Sequence, residues 1–339
     1  MSDVVKIGNL EARRAEKKTG YLNVGETAVG IVQIPLAIIS GSKPGPVLCM
    51  SGGVHGFEYS SIEAVVRVIR QTDPSKLSGT LLVVPVLNTA GFETRGPQGG
   101  QSVPFQNPID CINLNRIFPG NPEGTMSYQI AAAFMSKIVS RADYYIDCHG
   151  GDLNEELTSH IVVAQTGDVE KDRLAKELLA ASFDCNFMYL RVSSTGGGSI
   201  DAAARMGIPS ILVEAGGYGR VIEEAVQFVN NGISNVMKKL RMIEGPPAPT
   251  KKPRIRQRWL LYVTRGGICY IPPLGTRVKK GDKVAEVRSI FGELLETLES
   301  PVDGHICFRR SPIPISTNDR AVGIIPDEDI APPKPRPYP

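Results

Sequence analysis

Four side chains in this sequence stand where apolar runs give way to glycine, and they are of the types that hold a metal and move a proton. His55 and Glu58 lie three residues apart in "SGGVHGFEYSS"; His149 ends the run "YYIDCH" and Glu214 ends "ILVE". A hydrolytic zinc site takes three ligands from His and Asp/Glu and keeps a fourth position for water. His55 and Glu58 converge on one ion if their turn folds back on itself, and His149 is the best third ligand elsewhere in the chain. A strand end flanked by glycines lets an imidazole face a cleft without crowding. Asp147, two residues earlier on the same strand face, is placed either to orient the His149 ring or to satisfy a neighbouring backbone group. Taken singly, each histidine reads as a structural turn residue; two in glycine-rich turns, with a glutamate at i+3 of the first, favour a metal.

A carboxylate at the dry end of an apolar strand is costly unless it is paired or used. Glu214 therefore reads as a base that takes a proton from an activated water, or as a cap for the helix that follows. The run "AGGYG" beside it lacks the spacing of a phosphate loop. Asn115 and Arg116 stand between apolar residues in "INLNRIFPG". An arginine fork fits a carboxylate, so this pair reads either as a recognition element for an α-carboxylate or as a loop tether.

The elements that must position these residues alternate. "PVLCMS", "GTLLVVPVLN", "DYYIDCHGG", "SHIVVAQ" and "IPSILVEAGG" read as strands. "SSIEAVVRVIRQ", "SYQIAAAFMSKIVSRA", "DVEKDRLAKELLAASF", "SIDAAARMG" (with Ser199 as N-cap) and "VIEEAVQFVNNGISNVMKKLRMI" read as helices. This pattern predicts an α/β fold, a mainly parallel or mixed sheet flanked by helices, with ligands at the carboxyl ends of the strands. Residues 1–42 read as a β-rich lead-in, and residues 89–120 as a long loop that is either functional or disordered.

After "EGPPAPTKKP" the pattern changes to short strands and turns. Two stretches there resemble each other, "GGICYIPPLGTRVKKGDKVAEV" and "DGHICFRRSPIPISTNDRAVGI", which suggests a pseudo-twofold β barrel-sandwich like that of lipoyl domains. The joining stretch "SIFGELLETLESPVDG" has no lysine, so it is not a swinging carrier arm. The expected division is a catalytic domain over 1–244, a linker over 245–257, the barrel-sandwich over 258–326 and a disordered tail over 327–339.

Composition narrows the class. The chain has 339 residues, 42% hydrophobic and 22% charged, with a net charge of +3, which gives no reason to expect a nucleic-acid partner. The N-terminus lacks a signal-peptide core, and "VGIVQIPLAIISG" is too short to span a bilayer. The six cysteines contain no CxxC pair, as expected of buried free thiols in a reducing cytoplasm. Homo-oligomerisation is left open.

In order, "HGFE", "NLNRIFPG", "DCHGG" and "VEAGGYG" resemble the succinylglutamate desuccinylase/aspartoacylase family, which is related to the zinc carboxypeptidases. The resemblance runs from about residue 25 to about residue 325, and is nearest to deacylases of small N-acyl amino acids. It implies one zinc per chain on His55, Glu58 and His149, with Glu214 as base and proton shuttle. It also implies that Asn115 and Arg116 hold the substrate carboxylate. The reaction implied is hydrolysis of a small amide to a carboxylic acid and an amine, with a zinc carboxypeptidase acting on peptide C-termini as the alternative. A metal-free binding protein of the same fold is the third reading. The family's carbonyl-polarising arginine, normally just before NLNR, is missing here; Arg95, in the preceding loop, is the candidate for that role. Tyr218 is expected to line the pocket.

Overall fold

The computed structural model describes residues 4–94, 106–192, 196–310 and 314–328. Its centre is four parallel strands, in the spatial order Ser78–Val84, Lys43–Ser51, Tyr144–His149, Ser210–Gly217. Both faces of such strands are buried, which is why they read as nearly unbroken apolar runs. Alternate residues feed two cores. Cys49, Leu82, Tyr145 and Leu212 point to one; Leu48, Met50, Ile146 and Val213 point to the other. Helices Met126–Lys137 and Ser199–Arg205 cover the first face. Helices Tyr59–Gln71 and Glu223–Lys239 cover the second. The sheet is mixed because antiparallel strands extend it on both sides, Gly30–Ser40 and Glu16–Thr27 at one edge and Glu155–Gln165 beside Ser210–Gly217.

The expected amphipathic helix near residue 170 runs from Val169 to Ser182, with a wide turn over Leu174–Leu179. The expected N-cap Ser199 is corrected by one residue: Gly198 caps the helix, its N–H donating to Asp201 at 3.2 Å. The Ser199 hydroxyl has a buried partner of its own, the Asp147 carboxylate.

The C-terminal residues form antiparallel strands around two small apolar cores. They do not stand apart from the main sheet. Strand Gly304–Arg310 pairs with Glu155–Gln165, and Arg320–Pro326 and Trp259–Tyr262 follow outward, so a sheet of 13 strands among the described residues runs through both parts. Inside the stretch read as a linker, Arg254–Ile255 forms a short strand parallel to Phe187–Val192. Three arginines reinforce the junction: Arg309 meets Glu156 at 2.8 Å, while Arg320 and Arg310 meet Glu155 at 2.9 and 3.8 Å. No helix among the described residues is long and apolar enough to cross a membrane. The tail from residue 329 lies outside the described residues.

Candidate active site

The turn after strand Lys43–Ser51 brings the first two candidate ligands together. Gly56 packs against the backbone at Gly91 and Phe92, where a Cβ would sit 2.4 Å from the Phe92 nitrogen, so only glycine lets this turn fold back. Glu58 directly precedes helix Tyr59–Gln71, where the helix dipole favours a carboxylate. His55 Nδ1 lies 2.7 Å from Glu58 Oε1. Strand Tyr144–His149 brings His149 Nδ1 to 3.0 Å from Glu58 Oε2, and the Ser61 hydroxyl ties the helix to the His149 carbonyl. All three side chains are buried. One ligand atom from each lies within 4.8 Å of the others.

The far ring nitrogens are anchored. His55 Nε2 is 3.3 Å from Asn113 Oδ1, and His149 Nε2 is 3.0 Å from Asp147 Oδ2. Oxygen acceptors at both Nε2 atoms assign the N–H to that side and turn both Nδ1 lone pairs toward Glu58. Asp147 is itself fixed by the Ser51 hydroxyl at 2.6 Å and by Ser199, and Ser51 meets the Tyr145 hydroxyl at 2.7 Å.

This arrangement fits a divalent ion. Glu58 Oε2 is shut off from solvent and, despite its nearness to His149, has no hydrogen bond of acceptable geometry. An anionic oxygen left that way is costly, and a cation shared with the two Nδ1 atoms removes the cost. Two imidazoles and a carboxylate are a zinc-type donor set with a coordination position to spare. The three side chains are also coupled electrostatically. Burial opposes charge on Glu58, yet His55 and His149 outweigh it and hold the carboxyl down to about 2. Burial likewise opposes protonation of His149, and Asp147 and Glu58 together hold its pKa well above the ordinary value.

Glu214 arrives by strand register, opposite His149 on one neighbouring strand and His160 on the other. The pairing with the His160 strand slips between Glu214 and Gly216, a bulge of the kind that re-aims a side chain. Gly216 has φ +87°, and a Cβ there would sit 2.7 Å from the Ser60 hydroxyl, so the bulge requires glycine. Glu214 Oε2 is inaccessible and unbonded among the described residues. Burial pushes the Glu214 carboxyl up to about 8, with Glu58 acting in the same sense and His149 and Arg258 against it.

The structure thus gathers His55, Glu58, His149 and Glu214. Asn115 is buried, and its Oδ1 accepts the Ser199 N–H at 3.1 Å. Arg116 is exposed and its Nη1 donates to the Asn115 carbonyl at 2.8 Å. Tyr218 sits at the junction with the C-terminal strands: its N–H donates to the Glu155 carbonyl at 2.9 Å, and Arg309 lies over its ring at 5.8 Å. Arg95 lies outside the described residues.

Sequence reasoning missed Asn113, which faces His55 from the same NLNR turn, and the Ser51–Tyr145–Ser199 support behind Asp147. It also missed Asp152, whose Oδ2 is buried without a hydrogen bond and whose carboxyl is pushed up to about 7 by burial and by the Glu58 charge. Its acidic position right after "HGG" was the available signal.

Fold and site together define a mixed α/β protein with a buried His–Glu–His group at the carboxyl ends of its central strands. Residues 44–240 match the model of the succinylglutamate desuccinylase/aspartoacylase catalytic domain. The chain belongs to the succinylglutamate desuccinylase/aspartoacylase family. It is 26% identical over 309 residues to the N-alpha-acetyl-L-2,4-diaminobutyric acid deacetylase of Halomonas elongata, covering 87% of this chain and 86% of that protein. Among solved structures it is similar to the product-bound ectoine utilization protein EutE (DoeB) of Ruegeria pomeroyi, with TM-score 0.83 and 23% identity over 96% of this chain and 99% of that one. A succinylglutamate desuccinylase/aspartoacylase of Rhodobacter sphaeroides gives TM-score 0.82 and 24% identity over 96% of this chain and 100% of that one.

Proposed function

We propose that this protein is a zinc-dependent amidohydrolase that removes the acyl group from a small N-acyl amino acid. The observation that carries the reading is the buried His55–Glu58–His149 group with Glu214 in register beside it. Family membership and the deacetylase name of the Halomonas elongata relative support it.

A divalent ion on His55, Glu58 and His149 supplies Lewis-acid activation of water and of the scissile carbonyl. The residues of the chain do the rest. Asp147 and Asn113 hold the two imidazoles in the ligating tautomer. Glu214 takes a proton from the attacking water as its oxygen bonds to the carbonyl carbon. When the C–N bond breaks, Glu214 gives that proton to the leaving nitrogen, so acid and amine leave in balance. A carboxyl raised toward neutrality is suited to both transfers. Arg116, with the side-chain NH2 of Asn115, takes the substrate carboxylate; Arg95 is the proposed donor to the carbonyl oxygen, and Tyr218 lines the entrance.

The test is hydrolysis by the zinc-loaded protein of a panel of N-acyl amino acids beside a panel of short peptides, read as free amine released. Release from N-acyl amino acids, abolished in Glu214→Gln, supports the reading. Cleavage confined to peptide C-termini replaces it with a carboxypeptidase, and no release from either panel overturns it.

A further inference from the structure

A row of side chains crosses the sheet on the face that carries Asp147 and His149. Register places Glu214 between His149 and His160. On the next strand Met188 pairs with Ile161 and Tyr189 with Val162, so Phe187 and Tyr189 continue the row. The rings are in contact: His160 stacks on Phe187 at 5.3 Å and meets Tyr189 edge-on at 4.9 Å. Beyond them runs the short strand Arg254–Ile255, with Arg254 opposite Phe187 and the Arg256 N–H donating to Met188 at 3.0 Å. This segment delivers Arg258, whose guanidinium lies over the Tyr189 ring at 5.4 Å.

Arg258 is half-buried, and its ring contact is with Tyr189; among the described residues it makes no hydrogen bond or ion pair. The Tyr189 hydroxyl is shut off from solvent, and its neighbour is the Cys307 sulfur, a weak acceptor. His160 is no rival cation. Burial, with Arg258 second, holds its pKa down to about 3, and its Nδ1 faces the Thr158 carbonyl at 2.8 Å. The Arg258 charge also reaches Glu214 and Tyr189, in both cases behind the larger effect of burial. Two donors, a guanidinium fork with no acceptor and a phenol with only a weak one, therefore lie at the far end of the row that starts at Glu214. A carboxylate completes such an arrangement, since the guanidinium fork matches its two oxygens. Two strand spacings, about 10 Å between backbones, separate Glu214 from the Tyr189 strand, and Arg258 reaches back over the Tyr189 ring from the strand beyond.

We propose that Arg258, with the Tyr189 hydroxyl, binds a carboxylate of the substrate on the side of Glu214 away from His149, so that the segment leading into the C-terminal strands selects the substrate. This rests on the amidohydrolase reading above. The carboxylate comes either from the acyl group or side chain, or from the α-position in place of Asn115 and Arg116, and substrate chemistry separates these sources.

The experiment uses zinc-loaded full-length protein and three variants. Arg258→Met keeps an apolar stem over Tyr189, Arg258→Lys keeps the charge without the fork, and Tyr189→Phe removes only the hydroxyl. Each is assayed on the N-acetyl amino acid the wild type hydrolyses best, on its C-terminal amide, and on its N-succinyl counterpart. Arg258→Met is expected to raise KM roughly 10- to 100-fold for the carboxylate it reads, with kcat within about threefold of wild type. Arg258→Lys should fall between, and Tyr189→Phe should raise KM a few-fold. A rise that disappears with the C-terminal amide assigns the α-carboxylate; a rise confined to the N-succinyl substrate assigns the acyl carboxylate. An unchanged KM on all substrates in folded variants overturns the proposal. So does a loss in kcat alone with a displaced pH profile, since Arg258 would then act only on Glu214. If Arg258→Met does not fold, the KM of Arg258→Lys decides. A wild type that hydrolyses none of the substrates refutes the amidohydrolase reading itself, a result distinct from active enzyme with an indifferent Arg258.

Discussion

Replacing Asp147 by Asn tests the site without touching a proposed ligand. Asp147 is fully buried; it accepts from His149 at 3.0 Å, from Ser51 at 2.6 Å, and from Ser199. Asparagine keeps the shape but offers one oxygen where the carboxylate offers two. The NH2 group then faces either His149 Nε2 and the Ser199 hydroxyl together, which share Oδ2, or the Ser51 hydroxyl at Oδ1. Loss of a carboxylate behind a metal-binding histidine typically weakens metal affinity 10- to 100-fold, which is about 1.4 to 2.7 kcal/mol. A buried donor left without an acceptor costs about 1–3 kcal/mol of folding stability as well. The assay is zinc affinity by competition with a chromophoric chelator, paired with urea unfolding of the metal-free protein. The prediction is a zinc Kd about 10- to 100-fold weaker and a metal-free protein less stable than wild type. Wild-type affinity in a destabilised Asp147→Asn would show that Asp147 serves the fold and not the ligand, and would refute the reasoning.

Glu214→Gln is expected to retain zinc and fold while turnover falls by about 10²- to 10⁴-fold, measured by amine release beside metal content. The same variant alters the metal-free protein's response to pH. The folded carboxyl titrates at about 8, above its ordinary 4.5, so the folded state holds a proton that the unfolded chain releases. Stability contributed by that group is complete below 4.5 and is lost as pH rises toward 8; thermal melts across that window should fall less steeply in Glu214→Gln. Glu155→Ala removes the carboxylate that Arg320 meets at the junction, while Arg310 keeps Asp319 at 3.6 Å, and should cost about 1–3 kcal/mol in urea unfolding. Cys111 is exposed whereas Cys49, Cys148, Cys185, Cys269 and Cys307 are buried, so a thiol reagent should label Cys111 rapidly in native protein and the other five only after denaturation.

The central strands were legible because burial on both faces writes them as apolar runs, and the site was legible because His149 and Glu214 interrupt such runs at their ends. The proposed ligands His55 and Glu58 are local in sequence. What surrounds them is not. Ser51 meets Asp147 across 96 positions of chain, a contact made by strand register that no local pattern encodes. In the NLNR turn the reading singled out Asn115, but Asn113 faces His55 while Asn115 receives the Ser199 N–H. Arg258 stands at the boundary read between the linker and the barrel-sandwich, where no local pattern marks it. Pairing of Arg254–Ile255 with the Tyr189 strand is what carries it over the Tyr189 ring. The continuity of the sheet into the C-terminal strands was hidden for the same reason, since a change in element length is visible in sequence and a change in pairing partner is not.

The central claim is that His55, Glu58 and His149 hold the ion that the chemistry needs. The most direct measurement is elemental analysis of purified wild type beside His149→Ala, with circular dichroism to confirm that both are folded. About one zinc per chain in wild type, lost in His149→Ala, is the predicted result. Wild-type protein that contains no divalent metal after gentle purification, and takes up none when zinc is added, would contradict the account.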